Sequence, residues 1–139
     1  MVKNVYFDTN IIIDICDEGR EKHQESLDIV HKLIVNGAEL YINSDTLATL
    51  FYILRNRSKM NFNEAMQKIK FINETFELVS IEKKSIDETI DICNNKNFKD
   101  YEDALQYICA KKIEADFIVT NDKKFISPDI EVKSSSEYS

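Results

Sequence analysis

The sequence predicts an α/β fold: a parallel sheet of about five strands with helices on both faces. Three observations carry that expectation. Short apolar runs rich in β-formers alternate along the chain with stretches whose apolar residues recur at helical spacing. Such alternation implies βα units joined by right-handed crossovers. Two of the strand-like runs, 2–7 and 117–120, are followed by an acid, Asp8 and Asp122, and sites in open α/β sheets form outside the carboxyl ends of strands. Finally, 139 residues include only two Gly and one Pro, which favours regular elements over loops and linkers.

In chain order, residues 2–7 read as the first strand, with Asp8 at its carboxyl end. The β-branched run 11–16 follows a polar turn, a position that favours a short helix. Residues 17–20 read as a turn, and 21–36 as a second helix with Leu27, Val30 and Ile34 on one face and Gly37 at C′. Residues 39–43 are the second strand, after which Ser44 is a suitable N-cap. The helix it opens carries Leu47, Leu50, Phe51 and Leu54 inward and ends near Arg57. Asn61 caps the next helix, with Phe62, Ala65, Met66, Ile69, Ile72 and Phe76 at helical spacing. A third strand covers 77–81, and a helix over 85–94 aligns Ile86, Ile90 and Cys93. From Asp100 a further helix sets Tyr101, Ala104, Leu105, Ile108, Cys109 and Ile113 on an apolar face. It feeds the buried strand 117–120, and 130–133 forms a short edge strand. The expected organisation is one domain over 1–133 and a polar tail over 134–139, with Tyr138 as the residue to tuck back.

Composition narrows the function. A chain of this length buries about two-thirds of its unfolded surface and needs no covalent staples. The net charge of −7 disfavours a general nucleic-acid coat, because phosphate affinity rests on Lys and Arg. Bound metal would neutralise part of the acid excess. Cys16, Cys93 and Cys109 are far apart, with no CxxC or Cys/His cluster, and read as free core thiols of a reducing compartment. The N-terminus runs into a strand without a signal-peptide cleavage site. No stretch approaches the roughly 20 apolar residues of a membrane span. A soluble cytoplasmic protein is the expectation.

The chemistry-bearing residues are acids placed at strand and helix ends. Asp8 ends the first strand, Asp122 follows the fourth, and Asp103 opens the helix before it, beside Asp100 and Glu102. Carboxylates about 4 Å apart repel by roughly 1 kcal/mol in water and about 4 kcal/mol near a protein surface. A site gathering three or four must protonate some of them or bind cations. Hard oxygen donors suit Mg²⁺ or Mn²⁺. Each acid also has an ordinary structural reading. Asp8 and Asp122 serve equally as turn residues, Asp100 as an N-cap, Glu102 as first-turn charge complementing the helix dipole, and Asp14 as facing solvent or a neighbouring Asn.

Three segments stand out together: Val5-Tyr-Phe-Asp8-Thr-Asn10-Ile-Ile-Ile-Asp14, Asp100-Tyr-Glu-Asp103-Ala-Leu-Gln106, and Ala115-Asp-Phe-Ile-Val-Thr120-Asn-Asp122-Lys-Lys-Phe125. In these segments the sequence resembles the PIN-domain family, and within it the VapC-type toxin ribonucleases of toxin–antitoxin pairs. The similarity runs from residue 3 to about residue 133. It implies a three-layer α/β/α fold, a parallel sheet ordered 3-2-1-4-5, and metal-dependent endoribonuclease activity. By this resemblance Asp8, Asp103 and Asp122 take the catalytic metal-binding positions, with Asn10 and Thr120 in support. The resemblance also implies an RNA substrate, a small antitoxin protein and a homodimer.

One departure from the family pattern matters. The helix after the second strand usually carries an acid where this chain has Thr49, a neutral and weaker ligand. Asp45, four residues earlier on the same helical face, and Glu102 are the candidates to compensate. For RNA, residues 53–70 hold Arg55, Arg57, Lys59, Lys68 and Lys70 against Glu64 alone, a local balance of +4. That strip is either a phosphate track or a solvated helical hairpin. Lys123 and Lys124 flank Asp122. Phe51, Tyr52 and Phe62 are candidate partner contacts or core residues. The competing function is a PIN-like module that binds RNA or protein without cutting, because of Thr49. A receiver domain is disfavoured because the third strand ends without an acceptor Asp, and a haloacid-type phosphatase because Asp8-Thr-Asn10 lacks the second carboxylate.

Overall fold

The structure, a computed structural model, describes residues 1–95 and 98–137; Tyr138 lies outside them. The elements run β1 (Asn4–Phe7), α1 (Thr9–Cys16), α2 (His23–Val35), β2 (Glu39–Asn43), α3 (Thr46–Asn56), α4 (Phe62–Thr75), β3 (Glu77–Val79), α5 (Lys83–Asn95), α6 (Tyr101–Lys112), β4 (Phe117–Val119) and β5 (Glu131–Lys133). All four strand pairings are parallel and the order is β3-β2-β1-β4-β5, as the family resemblance implies. Chain direction across the sheet reverses at β1, so β1 and β4 are neighbours, with Phe7 opposite Val119. Their carboxyl ends form the topological switch point where open α/β sheets place sites.

The pleat of β1 divides the core. Val5 and Phe7 pack with Ile11, Ile12, Ile29, Leu33, Leu50, Leu54 and Ile72 under α1 to α4. Tyr6 points the other way, toward Leu105, Cys109 and Ile118 under α6. Each full burial of such a side chain is worth about 1.5–3 kcal/mol. The Ile-rich segment is helical because it is enclosed on nearly every side: Ile11, Ile12, Ile13, Asp14, Ile15 and Cys16 are all buried. Burial on all sides overrides the weak helix propensity of β-branched residues.

Several local expectations are corrected. The cap of α3 is not Ser44. Asn43 Oδ1 accepts from the backbone N–H groups of Asp45 (2.8 Å) and Thr46 (3.1 Å), while Ser44 Oγ accepts from Ile81 N–H. The buried face of α2 is Ser26, Ile29, Val30 and Leu33, whereas Ile34 is exposed. On α5 the small polar residues Ser85 and Thr89 are buried and Ile90 is exposed. Phe62 and Met66 face out from α4. In each case the helix is rotated by what it packs against, which periodicity alone does not specify. The strand limits also contract, to Asn4–Phe7, Glu77–Val79 and Glu131–Lys133. Asn61 caps α4 through Glu64 N–H as expected.

Gly37 ends α2 with φ +83°. Its N–H donates to Ile34 O, and Ala38 N–H donates to Leu33 O, the two bonds of a Schellman closure. A Cβ there meets nothing within 4 Å, so Gly37→Ala carries only the backbone penalty. Thermal denaturation should show it about 1 kcal/mol less stable.

The three cysteines are free; Cys16 and Cys109 are buried, and burial pushes both thiols up to about 12. The segment after β5 is held against the sheet: Ser135 is buried, donating its N–H to Asn121 Oδ1 (3.0 Å) and its hydroxyl to Glu25. Among the described residues no helix is long and apolar enough to cross a membrane.

Candidate active site

Asp8 stands at the step from β1 into α1. Its N–H donates to Val119 O, and its own carbonyl accepts from Ile11 N–H, so the backbone makes the turn. The side chain turns inward, only 2 % exposed. Oδ1 accepts from Gln106 Nε2 (2.9 Å) and Oδ2 from Thr120 Oγ1 (2.7 Å). Burial pushes the Asp8 carboxyl up. The bonds from Thr120, Gln106 and the Asn10 N–H oppose that rise, and the charge of Asp122 adds to it.

The other acids arrive from α6 and the loop after β4. Asp100 caps α6, accepting from Asp103 N–H (3.0 Å), which places Glu102 and Asp103 in its first turn. Thr120 Oγ1 accepts from Asp122 N–H (3.1 Å), and Asp122 Oδ1 accepts from Lys124 N–H (2.9 Å). Asp122 is therefore a turn residue and a member of the acidic rim at once. Burial raises the Asp103 carboxyl to about 7, reinforced by the charges of Asp100, Asp8, Asp122 and Glu102. Glu102 is raised by burial, then by Asp8 and Asp100. Asp8, Asp103 and Asp122, distant in sequence, thus share one electrostatic field.

Two cavities flank this rim. One of about 150 Å³ is lined by Thr9, Asn43, Asp45, Thr46, Thr49, Tyr101, Glu102 and Leu105. Thr49, Asp45 and Glu102 therefore do meet. Glu102 is the one whose charge couples to Asp8 and Asp103. The second, about 200 Å³, lies between Asp100, Asp103, Asp122 and Lys124. Among the described residues no group of three or more acids, histidines or cysteines is gathered closely enough to hold a metal ion by itself. The rim is an open donor set of hard anionic oxygens. Hard divalent cations are bound through one or two such carboxylates, with water or substrate phosphate in the remaining positions.

The remaining expected residues are spread out. Asn10 is exposed and lines a cavity with Asp14, Arg20, Asn121 and Asp122; its contact with Asp8 is through the backbone. Lys123 lines the cavity beside Asp122. Arg55, Arg57 and Lys59 sit at the opposite end of α3 from Thr49. An 11-residue helix spans about 16 Å. Arg55 Nη1 donates to Met60 O (3.2 Å), closing its own hairpin. Asp14 does not face solvent: it is buried and paired with Arg20 Nε at 2.5 Å, because α1 is enclosed on that side too. Sequence reasoning gave no role to Gln106, Tyr6 and Asn43, which form a buried polar chain behind Asp8. The one available signal was Gln106 standing a turn beyond Asp103 in an otherwise apolar helical stretch.

A model of the PIN domain matches residues 4–124. The chain belongs to the PIN-domain family. It is 38 % identical over 137 residues to Ribonuclease VapC1 of Aquifex aeolicus (strain VF5), covering 98 % of this chain and 93 % of that protein. Among solved structures, VapC20 of Mycobacterium tuberculosis, described as a sarcin–ricin-loop-cleaving toxin, superimposes with TM-score 0.69 at 10 % identity, over 87 % of this chain and 92 % of that one. VapBC2 from Rickettsia felis, bound to a promoter DNA fragment, gives TM-score 0.70 at 19 % identity over 94 % and 98 %. At these identities the structures speak for the fold. Within the PIN-domain fold, the switch-point rim is where Asp8, Asp103 and Asp122 emerge.

Proposed function

We propose that this PIN-domain protein is a VapC-type endoribonuclease, the toxin of a toxin–antitoxin pair, and that it hydrolyses RNA phosphodiester bonds with Mg²⁺ or Mn²⁺. The observation that carries the reading is Asp8: a carboxylate 2 % exposed yet bonded on both oxygens, in the field of Asp103 and Asp122. Identity of 38 % along nearly the whole chain to Ribonuclease VapC1 supports the same reaction.

When bound, the cation supplies an acidic water and charge neutralisation at the phosphodiester. The protein's own part is positional. Asp8 holds a fixed carboxylate, Asp103 and Asp122 present theirs from α6 and the β4 loop, and Glu102 stands in for the acid missing at Thr49. Lys123 and Lys124 lie beside Asp122, where they meet substrate phosphate. The nuclease unit is residues 1–133. Tyr52 and Phe62, exposed on the α3–α4 hairpin, support an antitoxin or a second copy docking there, and an RNA substrate places the working protein in the cytoplasm.

The test is cleavage of RNA by the purified protein with Mn²⁺. Activity should disappear with a chelator and in Asp8→Asn. A wild-type protein that binds RNA without cutting it would favour the non-cleaving module that Thr49 makes conceivable. Thr49→Glu provides a second check. A carboxylate restored to the Glu102 cavity should tighten Mn²⁺ binding about tenfold, the lower end of what site-shaping residues contribute. It should also lower the metal-free melting temperature through added repulsion. Calorimetric titration and thermal denaturation read the two effects.

A further inference from the structure

We propose that Gln106 is the positioning residue of the site: it fixes the plane of the Asp8 carboxylate through a buried chain of hydrogen bonds anchored at the start of α3. The proposal rests on the metal-site reading above and adds a residue to it.

Asp8 is too buried for water to set its orientation; protein donors must do so. Gln106 is 0 % exposed in the middle of α6, where every residue from Ala104 to Ala110 is buried. An amide there is costly unless both its ends are bonded. Both are. Nε2 donates to Asp8 Oδ1, and Oε1 accepts from Thr9 N–H at 3.0 Å, with Thr9 Oγ1 at 3.4 Å and Tyr6 OH at 3.5 Å. The reverse orientation of the amide is disallowed. It would set the NH₂ against the Thr9 N–H and the carbonyl oxygen against a carboxylate, two repulsions in place of two bonds.

The chain continues away from the site. Tyr6 OH accepts from Asn43 Nδ2 at 2.8 Å, and Asn43 Oδ1 holds the Asp45 and Thr46 N–H groups that begin α3. Tyr6, Asn43 and Thr46 are themselves buried. On its other oxygen Asp8 is held by Thr120, whose hydroxyl also accepts the Asp122 N–H. The carboxylate is thereby clamped between α6 and the end of β4. Gln106 follows Glu102 and Asp103 by four and three residues, so one helix carries both acids and the group that aims Asp8. With a neutral residue at Thr49, fewer carboxylates share the ion, and the aim of each counts for more.

The test is Gln106→Met, which keeps length and apolar packing and removes the donor. Mn²⁺ affinity is measured without RNA, on protein shown to be folded, alongside kcat and KM on RNA. The expected result is a tenfold to hundredfold loss of affinity, the usual range for groups that orient ligands, with kcat lowered and KM for RNA unchanged. Should that variant not fold, the wild-type protein still decides. The side-chain NH₂ resonances of Gln106 should be protected from solvent exchange and should move when Mg²⁺ is added. Wild-type Mn²⁺ affinity in a folded Gln106→Met protein, or NH₂ resonances indifferent to Mg²⁺ in a wild type that binds it, overturns the positioning role alone. A wild type that binds no divalent ion overturns the metal-site reading and this role with it.

Discussion

Asp8→Asn is expected to reduce RNA cleavage about a thousandfold, roughly 4 kcal/mol of transition-state stabilisation at about 1.36 kcal/mol per tenfold. The protein should keep its fold, and without metal it should be at least as stable as the wild type. Asparagine fits the site: its oxygen takes the Gln106 Nε2 bond, and its NH₂ can donate to Thr120 Oγ1. What is lost is the charge. Burial and Asp122 push the Asp8 carboxyl up, so its ionised form is disfavoured in the metal-free fold, and a neutral amide escapes that cost. Activity and stability therefore move in opposite directions, as is common where function needs strained or repelling groups. Asp8→Ala differs, because Gln106 Nε2 and Thr120 Oγ1 then lose a buried acceptor, which costs about 1–3 kcal/mol. Single-turnover cleavage and thermal denaturation of the two variants separate charge from packing. An Asp8→Asn protein that retains cleavage within tenfold of wild type would remove Asp8 from the mechanism.

Metal affinity should fall steeply below neutral pH. The Asp103 carboxyl is raised to about 7, first by burial and then by Asp100, Asp8, Asp122 and Glu102. An incoming cation must displace its proton, so apparent Mn²⁺ affinity drops about tenfold for each pH unit below about 7. Metal-free stability moves the other way. A raised folded-state pKa means that the stabilisation is fully present below the unfolded value, near about 4, and is lost as pH rises through about 7. Glu102 and Asp8 are raised in the same direction and add to both trends. Partial exposure of Asp103 screens the stability effect, which leaves affinity as the larger signal. Thermal shifts with and without Mn²⁺ should diverge strongly near pH 8 and converge near pH 5.5. Asp103→Asn should flatten the metal-free profile. A metal-induced shift equal at both pH values would contradict the coupled acidic rim.

Some features were legible because their causes are local. Asn61 and Asp100 are caps followed three residues later by Glu64 and Asp103, whose N–H groups they accept. Gly37 follows the last apolar turn of α2 and supplies the positive φ its closure needs. Residues 117–119 are apolar in succession because both faces of β4 are covered. The misreadings share one cause. Ser44 looked like a cap, and the Asn43 side chain displaced it. Ile34, Ile90 and Met66 lie at helical spacing yet face outward, because the direction from which a neighbour packs is not encoded in the period. Arg55, Arg57 and Lys59 cluster in sequence, but they lie at the far end of α3 from Asp45 and Thr49.

The sequence by itself determined the α/β class, the parallel alternation, the family, and the three aspartates at element ends. All but the family, which the motif resemblance carried, follow from periodicity, turn chemistry and composition, which act between residues a few positions apart. Only the tertiary structure decided that Gln106 and Thr120 divide the two oxygens of Asp8, that Tyr6 and Asn43 stand behind them, that Arg20 neutralises Asp14, and that Glu102 shares a cavity with Thr49. Those pairings are made between residues up to 112 positions apart. A buried polar group takes whichever partner the packed elements bring within about 3 Å, so its partner exists only once β1, β4 and α6 have come together.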